Sequence, residues 1–115
     1  MSVTFWVSNS PRKTITREEG TVEQYDETID VLPTCNFANG NAAQLLSMIN
    51  VDIDSLGWAG TWPHAILEDK VEDLRTLAYE FKSKRDLHPH HFFRVMALHT
   101  VVHAAMQCGE DVCFG

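Results

Sequence analysis

The chain lacks the short signatures that mark the common enzyme classes. It contains no glycine-rich phosphate loop, no dinucleotide-binding fingerprint, no nucleophile elbow and no His-Glu-x-x-His zinc motif. Its serines have no recognisable triad context, and its three cysteines include no Cys-x-x-Cys pair. These absences favour a protein that binds over one that catalyses, and no catalytic residue is predicted.

Basic residues are also scarce. Nine lysines and arginines stand against sixteen acidic residues, which gives a formal charge of −7 at neutral pH. A surface of this sign repels a phosphate backbone, so nucleic acid is not expected as a partner. We expect a protein partner instead, with a basic surface where the acidic residues make the contact.

Targeting signals and long apolar runs are missing as well. The N-terminus has neither the basic segment nor the hydrophobic stretch of a secretion signal, and the odd number of cysteines favours a reduced protein. The most apolar run, around His99, is shorter than the roughly 20 residues that a bilayer requires, and it contains Arg94. The sequence therefore predicts a cytoplasmic protein without a membrane span.

The remaining patterns predict one small α+β domain over residues 1–115. Residues 3–8 alternate apolar and polar side chains, as in a half-buried strand, and residues 13–17 can return as the second strand of a hairpin. Alternation also appears in residues 28–32 and at the end of the chain, in residues 112–114. We expect a small antiparallel sheet built on the N-terminal hairpin, to which the C-terminal segment can add a strand.

Three helices are predicted to pack on this sheet. A short one follows an asparagine-rich segment, and a second covers residues 64–84 with apolar residues on one face and acidic residues on the other. The third, residues 89–108, begins at a proline and stops before Gly109, the usual asymmetry of helix ends. A short link joins the last two, so we expect an antiparallel pair.

The third helix carries the most unusual chemical feature, which is two histidines four residues apart. Helix geometry places His99 and His103 at the centre of the most apolar face, which we expect to be buried. Imidazoles at this spacing can share zinc or another first-row metal ion, with His64 as a further ligand. The alternative is a pair of core histidines satisfied by hydrogen bonds, and no other cofactor is predicted.

Two loops are candidates for ligand binding. The first holds Asn36, Asn39 and Asn41, residues that suit a tight turn and a helix cap. The second holds Trp58 and Trp62 among glycines, where two indoles can stack on the ring of a nucleotide or metabolite. In the alternative interpretation the tryptophans only fix this loop to the core.

A run of acidic residues lies between the predicted hairpin and the asparagine-rich segment. Residues 18–30 hold six acids and no base, and we expect a solvated loop there. This loop is a candidate contact for a basic partner surface. The candidate contact residues are Glu18, Glu19, Glu23, Asp26 and Glu27.

The segment Asn-Phe-Ala-Asn-Gly-Asn-Ala-Ala-Gln-Leu-Leu, residues 36–46, resembles one found in small uncharacterised proteins of bacteria and their phages. Those proteins share an asparagine-rich loop, a short leucine-rich helix and a Gly/Trp turn, and the likeness covers the middle third of this chain. The resemblance brings no activity and no catalytic residues. It implies a phage or mobile-element accessory protein that inhibits a host protein.

The favoured function is that of a small acidic interaction protein, which binds another protein through its acidic surface and the two loops. The first alternative is a metal-binding protein or metal-dependent hydrolase that uses His99 and His103. The second is a nucleotide or metabolite binder that uses Trp58 and Trp62. A homodimer is compatible with the apolar third helix, because a second copy can cover part of it.

Overall fold

The computed structural model describes residues 1–9, 12–17, 20–25, 32–84 and 89–115, with side chains in the ranges 1–9, 32–84 and 89–115. Within these residues the fold is α+β, as predicted. A 3-10 turn at His64–Ile66 directly precedes the helix that begins at Leu67. The elements in chain order are β1 Ser2–Val7, β2 Arg12–Arg17, β3 Gly20–Tyr25, β4 Thr34–Ala38, α1 Asn39–Met48, α2 Ile53–Leu56, β5 Gly60–Trp62, α3 Leu67–Lys82, α4 Pro89–Cys108 and β6 Val112–Phe114.

Four antiparallel strands form the main sheet in the order β4-β1-β6-β5. Strand β1 is central, because Phe5 lies opposite Cys35 of β4 on one side and opposite Phe114 of β6 on the other. Strand β6 in turn pairs with β5. The C-terminal segment therefore joins the sheet beside the N-terminal strand, which confirms that part of the prediction.

The partner of the N-terminal strand differs from the predicted hairpin. Strand β1 pairs with β4 and β6, whereas β2 pairs with β3 in a separate hairpin, with Arg12 opposite Tyr25. Alternation identifies a strand and its buried face but says nothing about its partner. Here the apolar partners Phe37 and Val112 lie far along the chain from β1, so a local pattern could not reveal the pairing.

The acidic region contains a strand. Residues 20–25 form β3, so the prediction of a loop over the whole of residues 18–30 is wrong there. The β-branched and aromatic residues of this stretch favour extended backbone, and one glutamate does not prevent it. Residues 28–31 of the strand predicted over 28–32 lie outside the described part of the chain, as do residues 26 and 27, and the next strand described is β4, which begins at Thr34.

The asparagine-rich segment forms a strand and the start of a helix rather than a tight loop. Strand β4 covers the first half of the segment, and α1 begins directly at Asn39. Phe37 of β4 is buried opposite Val3 of β1. Burial of an aromatic side chain next to an apolar neighbour favours the strand here, although asparagine is in general depleted in strands.

One face of the sheet carries an aromatic cluster. Phe5 is fully buried, and its ring centroid lies 5.6 Å from that of Phe114, 5.7 Å from that of Trp62 and 6.1 Å from that of Phe37. Gly60 borders this cluster, where an added Cβ would stand 3.1 Å from the Phe114 ring. Helix α4 packs on the sheet and α3 packs on α4, so the cluster is the base of a layered core.

The predicted pair of packed helices is confirmed in α3 and α4. Phe81, near the end of α3, stacks on His91 in the first turns of α4, with ring centroids 5.3 Å apart. Gly109 ends α4 with a φ of 70°, and the Glu110 N–H donates to the Ala105 carbonyl at 2.9 Å, the usual left-handed helix stop. In the described ranges no helix has both the length and the apolar character needed to cross a bilayer.

Candidate functional site

The buried face of α4 is not the face expected from its sequence. Its buried residues are Val95, Leu98, Val101, Val102 and Ala105. His99 and His103 lie beside this face and are only partly buried, so the prediction that they occupy its centre is wrong. Because α4 is apolar nearly all round, its periodicity does not single out one direction, and the sheet and α3 decide which side is covered.

The partly exposed side of α4 forms one wall of a groove, and α3 forms the other. The groove has a volume of about 260 Å³. Its lining residues recur every three or four positions on each helix, so that each set projects from a single side. They are Arg75, Ala78, Tyr79 and Lys82 of α3, with Phe92, Met96 and His99 of α4.

Exposed apolar side chains surround this groove. Tyr79 is 68% exposed and Met96 is 38% exposed. Phe93, 67% exposed, packs edge-on against Phe92 with ring centroids 5.8 Å apart and extends the apolar surface beyond the lining. Single exposed apolar residues are common on proteins, but a group of them around a concavity is typical of an interaction site.

Two cations lie on the α3 wall of the groove. Arg75 and Lys82 are exposed and stand seven residues apart, roughly two helical turns or about 10 Å, with Tyr79 between them. No acidic side chain lines the groove among the residues whose positions the structure describes. Among the residues whose side chains the structure describes, the one ion pair joins Lys84 and Glu80, so neither groove cation is neutralised there.

His99 contributes a neutral ring to the α4 wall. Its ring stacks on that of His103, with centroids 5.6 Å apart and planes at 10°. The Nε2 atom of His99 is buried and has no hydrogen-bond partner among the described residues. Burial lowers the pKa of His99, and the neighbouring His103 and Arg75 lower the pKa further. The imidazole is therefore uncharged at neutral pH.

The lowered pKa of His99 predicts a pH-dependent stability. The ordinary pKa of the group is 6.5, so below that pH the unfolded chain binds a proton more readily than the fold does. The free energy of unfolding should be fully retained above pH 6.5 and should fall as the pH drops through that value. Denaturant titrations from about pH 8 to about pH 5 should show this fall, and His99→Gln should reduce it.

A matched control for this pH series is His90→Gln, which removes an exposed imidazole from the first turn of the same helix. It should keep the wild-type fall in stability. If His99→Gln lost as much stability on acidification as the wild type, the desolvation of His99 could not be its cause.

The structure brings two of the three predicted metal ligands together. His99 and His103 are adjacent, whereas Nε2 of His64 donates to the Met106 carbonyl at 3.1 Å and its backbone N–H donates to Asp111 Oδ1 at 2.8 Å. Within the described residues, no three histidine, cysteine, aspartate or glutamate side chains come together as a metal-binding group. Metal binding by the histidine pair remains a prediction.

The three asparagines occupy separate positions. Asn36 lies on β4, where its Nδ2 donates to Ser2 Oγ at 3.1 Å and to Thr4 Oγ1 at 2.8 Å. Asn39 starts α1, and its buried Oδ1 has no partner in the part of the chain described here. Asn41 lies two residues further along the helix, about half a turn, and is partly buried. Asn36 thus joins two strands, and the three amides do not form a single loop.

The two tryptophans lie in different environments. Trp62 is 3% exposed and belongs to the aromatic cluster, with Lys70 Nζ 5.5 Å from the centre of its ring. Trp58 is 37% exposed. A ligand stacked between two indoles needs an open face on each, and Trp62 offers none. Any stacking of a nucleotide or metabolite would therefore depend on Trp58.

Most of the predicted acidic contact residues lie outside the described residues. These are Glu18, Glu19, Asp26 and Glu27. The backbone of Glu23 lies on β3 opposite Thr14. Contact of this acidic segment with a basic partner remains a prediction.

Sequence reasoning missed most of the groove. Three aromatic residues gave a sequence signal for exposed apolar surface. Tyr79 lies among the polar residues of α3, and Phe92 and Phe93 are adjacent on α4, so they cannot both face the same core. The cations could not be recognised, because their relation to Met96 on the other helix exists only once the helices pack.

Comparisons of the chain with protein-family models, curated proteins and solved structures found no match.

Proposed function

We propose that the protein is a non-enzymatic binding protein that holds a segment of another protein in the groove between α3 and α4. The observation that carries this proposal is the exposed apolar group formed by Tyr79, Phe93 and Met96 around the groove. Covering such surface is favourable by roughly 25 cal/mol for each Å² removed from water. Aromatic residues and methionine are also the types enriched at protein interfaces.

The size of the groove favours a protein segment over a metabolite. Its volume of about 260 Å³ lies below the roughly 300–1,000 Å³ of small-molecule pockets. One or two apolar side chains can fill it, while Tyr79 and Phe93 add contact area beside it. A helix laid against two helices in this way is a recurring mode of peptide recognition.

The thiol of Cys35 is a poor candidate for a catalytic nucleophile. Burial raises the pKa of Cys35 to about 12, so this thiol stays protonated at neutral pH and is a poor nucleophile. The role implied by the resemblance, inhibition of a host protein, needs a surface that binds a protein. We propose the groove for that purpose.

Selection from a displayed library of random helical peptides tests the proposal without knowledge of the natural partner. We expect enriched peptides that share apolar anchors and compete with one another. Met96→Glu, which places a charge in the groove, should abolish their binding. The matched control His90→Glu adds the same charge to an exposed position of α4, turned about 120° from Met96, and should leave binding intact.

Two outcomes would contradict the proposal. Peptides that bound Met96→Glu as tightly as the wild type would place the contact on another surface. A selection that enriched nothing above an unrelated acidic protein of similar size would remove the support for peptide binding itself.

A further inference from the structure

We infer that the segment bound in the groove is a short amphipathic helix whose apolar anchors are flanked by carboxylates. This inference rests on the proposed function and adds the chemistry of the partner. The observation behind it is that the groove lining is positive although the chain as a whole is negative. The chain carries −7 overall, yet the charged residues that line the groove in the described part of the chain are Arg75 and Lys82.

The spacing of the two cations matches a helical partner. Arg75 and Lys82 are separated by seven residues of α3, and carboxylates seven residues apart on an aligned helix have the same rise of about 10 Å. Positions three and four residues from each carboxylate project from the same side of the partner helix. Apolar side chains there would meet Tyr79, Met96 and Phe92 between the two charged contacts.

The two cations also differ in what they can bind. The Arg75 guanidinium can hold one carboxylate through two parallel hydrogen bonds, which fixes its orientation. Lys82 offers a point charge on a flexible stem, which tolerates variation in the second carboxylate. His99 adds no positive charge at neutral pH, because burial lowers its pKa. The electrostatic attraction therefore comes from the α3 wall.

A second copy of this chain that docks through its own α3 wall is a poor occupant of the groove. In a twofold contact centred on Tyr79 with the two α3 helices antiparallel, Arg75 of each copy would lie opposite Lys82 of the other. Like charges in such a contact repel each other, and a twofold interface would repeat the repulsion. The arrangement of charge favours a different, acidic protein.

The composition of the selected peptides tests this inference. We expect them to be richer in aspartate and glutamate than the starting library, with acids on both sides of an apolar anchor. Arg75→Glu/Lys82→Glu should raise the Kd of an acidic peptide by roughly 10- to 100-fold. Arg75→Gln/Lys82→Gln, which removes the charges without reversing them, should raise it less.

Repeating the selection on the charge-reversed protein gives a positive readout. Arg75→Glu/Lys82→Glu should now enrich basic peptides with similar apolar anchors. The control Lys70→Glu/Arg94→Glu makes the same change in charge outside the groove lining and should still select acidic peptides. Circular dichroism of each variant would show that the helices are intact.

The outcomes separate this inference from the proposed function. Groove-dependent peptides that are neutral or basic would overturn the inference while the binding function stands. Failure to select any groove-dependent peptide would overturn both. A concentration-dependent dimer in light scattering, abolished by Met96→Glu, would identify a second copy as the occupant and would also overturn the inference.

Discussion

Replacing Phe5 by alanine should lower the free energy of unfolding by about 3–5 kcal/mol, the usual loss when a buried phenylalanine is truncated. The ring is fully buried and has three aromatic neighbours within 6.1 Å, so its removal leaves a cavity and weakens several ring contacts together. Small domains are stable by only about 5–15 kcal/mol in total. The variant should therefore be at the margin of folding.

Urea unfolding followed by circular dichroism would measure the loss. The control is Tyr79→Ala, which truncates an aromatic residue that is 68% exposed. We expect it to cost less than about 1 kcal/mol, as surface substitutions usually do. Equal losses in the two variants would contradict the central place of Phe5 in the core.

Leu98→Ala should cost about 2–5 kcal/mol, because Leu98 is fully buried on α4, the helix that packs on both the sheet and α3. Met96→Ala, two residues away on the same helix, should cost less than about 1 kcal/mol, since Met96 lies on the groove and is 38% exposed. The two truncations therefore compare the stability contributed by the buried side of α4 with that contributed by its groove side.

This comparison also tests the orientation of α4, on which the groove depends. Leu98→Met, which nearly conserves volume, should recover most of the stability that Leu98→Ala loses. If Met96→Ala were the more damaging truncation, the core would lie on the side of α4 that carries the two histidines. The groove proposed here would then be part of the core and unable to bind a partner.

Signals that depend on neighbouring residues were readable from the sequence. Pro89 and Gly109 marked the ends of α4 because a proline suits a first turn and a glycine suits a left-handed stop. Alternation similarly located β1 and β6. These features depend on residues a few positions apart, so the sequence contains their cause.

Signals that depend on packing were not readable. The side of α4 that is buried depends on what α3 and the sheet cover, and the partner of β1 depends on which apolar strands reach it. The groove has the same origin, because Arg75 and Met96 are neighbours only across two packed helices. Packing also decided against one predicted contact. The ring of His64 donates to the Met106 carbonyl and does not join the two histidines of α4.

The central position of β1 has a consequence for how the chain acquires its fold. One edge of β1 pairs with β4, about 30 residues later in the chain. The other edge pairs with β6, about 100 residues later, so it can pair only when the C-terminal segment has been synthesised. At a synthesis rate of roughly 5–20 residues per second, that edge stays unpaired for several seconds as the ribosome completes the intervening helices. Exposed strand edges can pair with other chains, so aggregation of nascent chains is a hazard that rapid docking of β6 would limit.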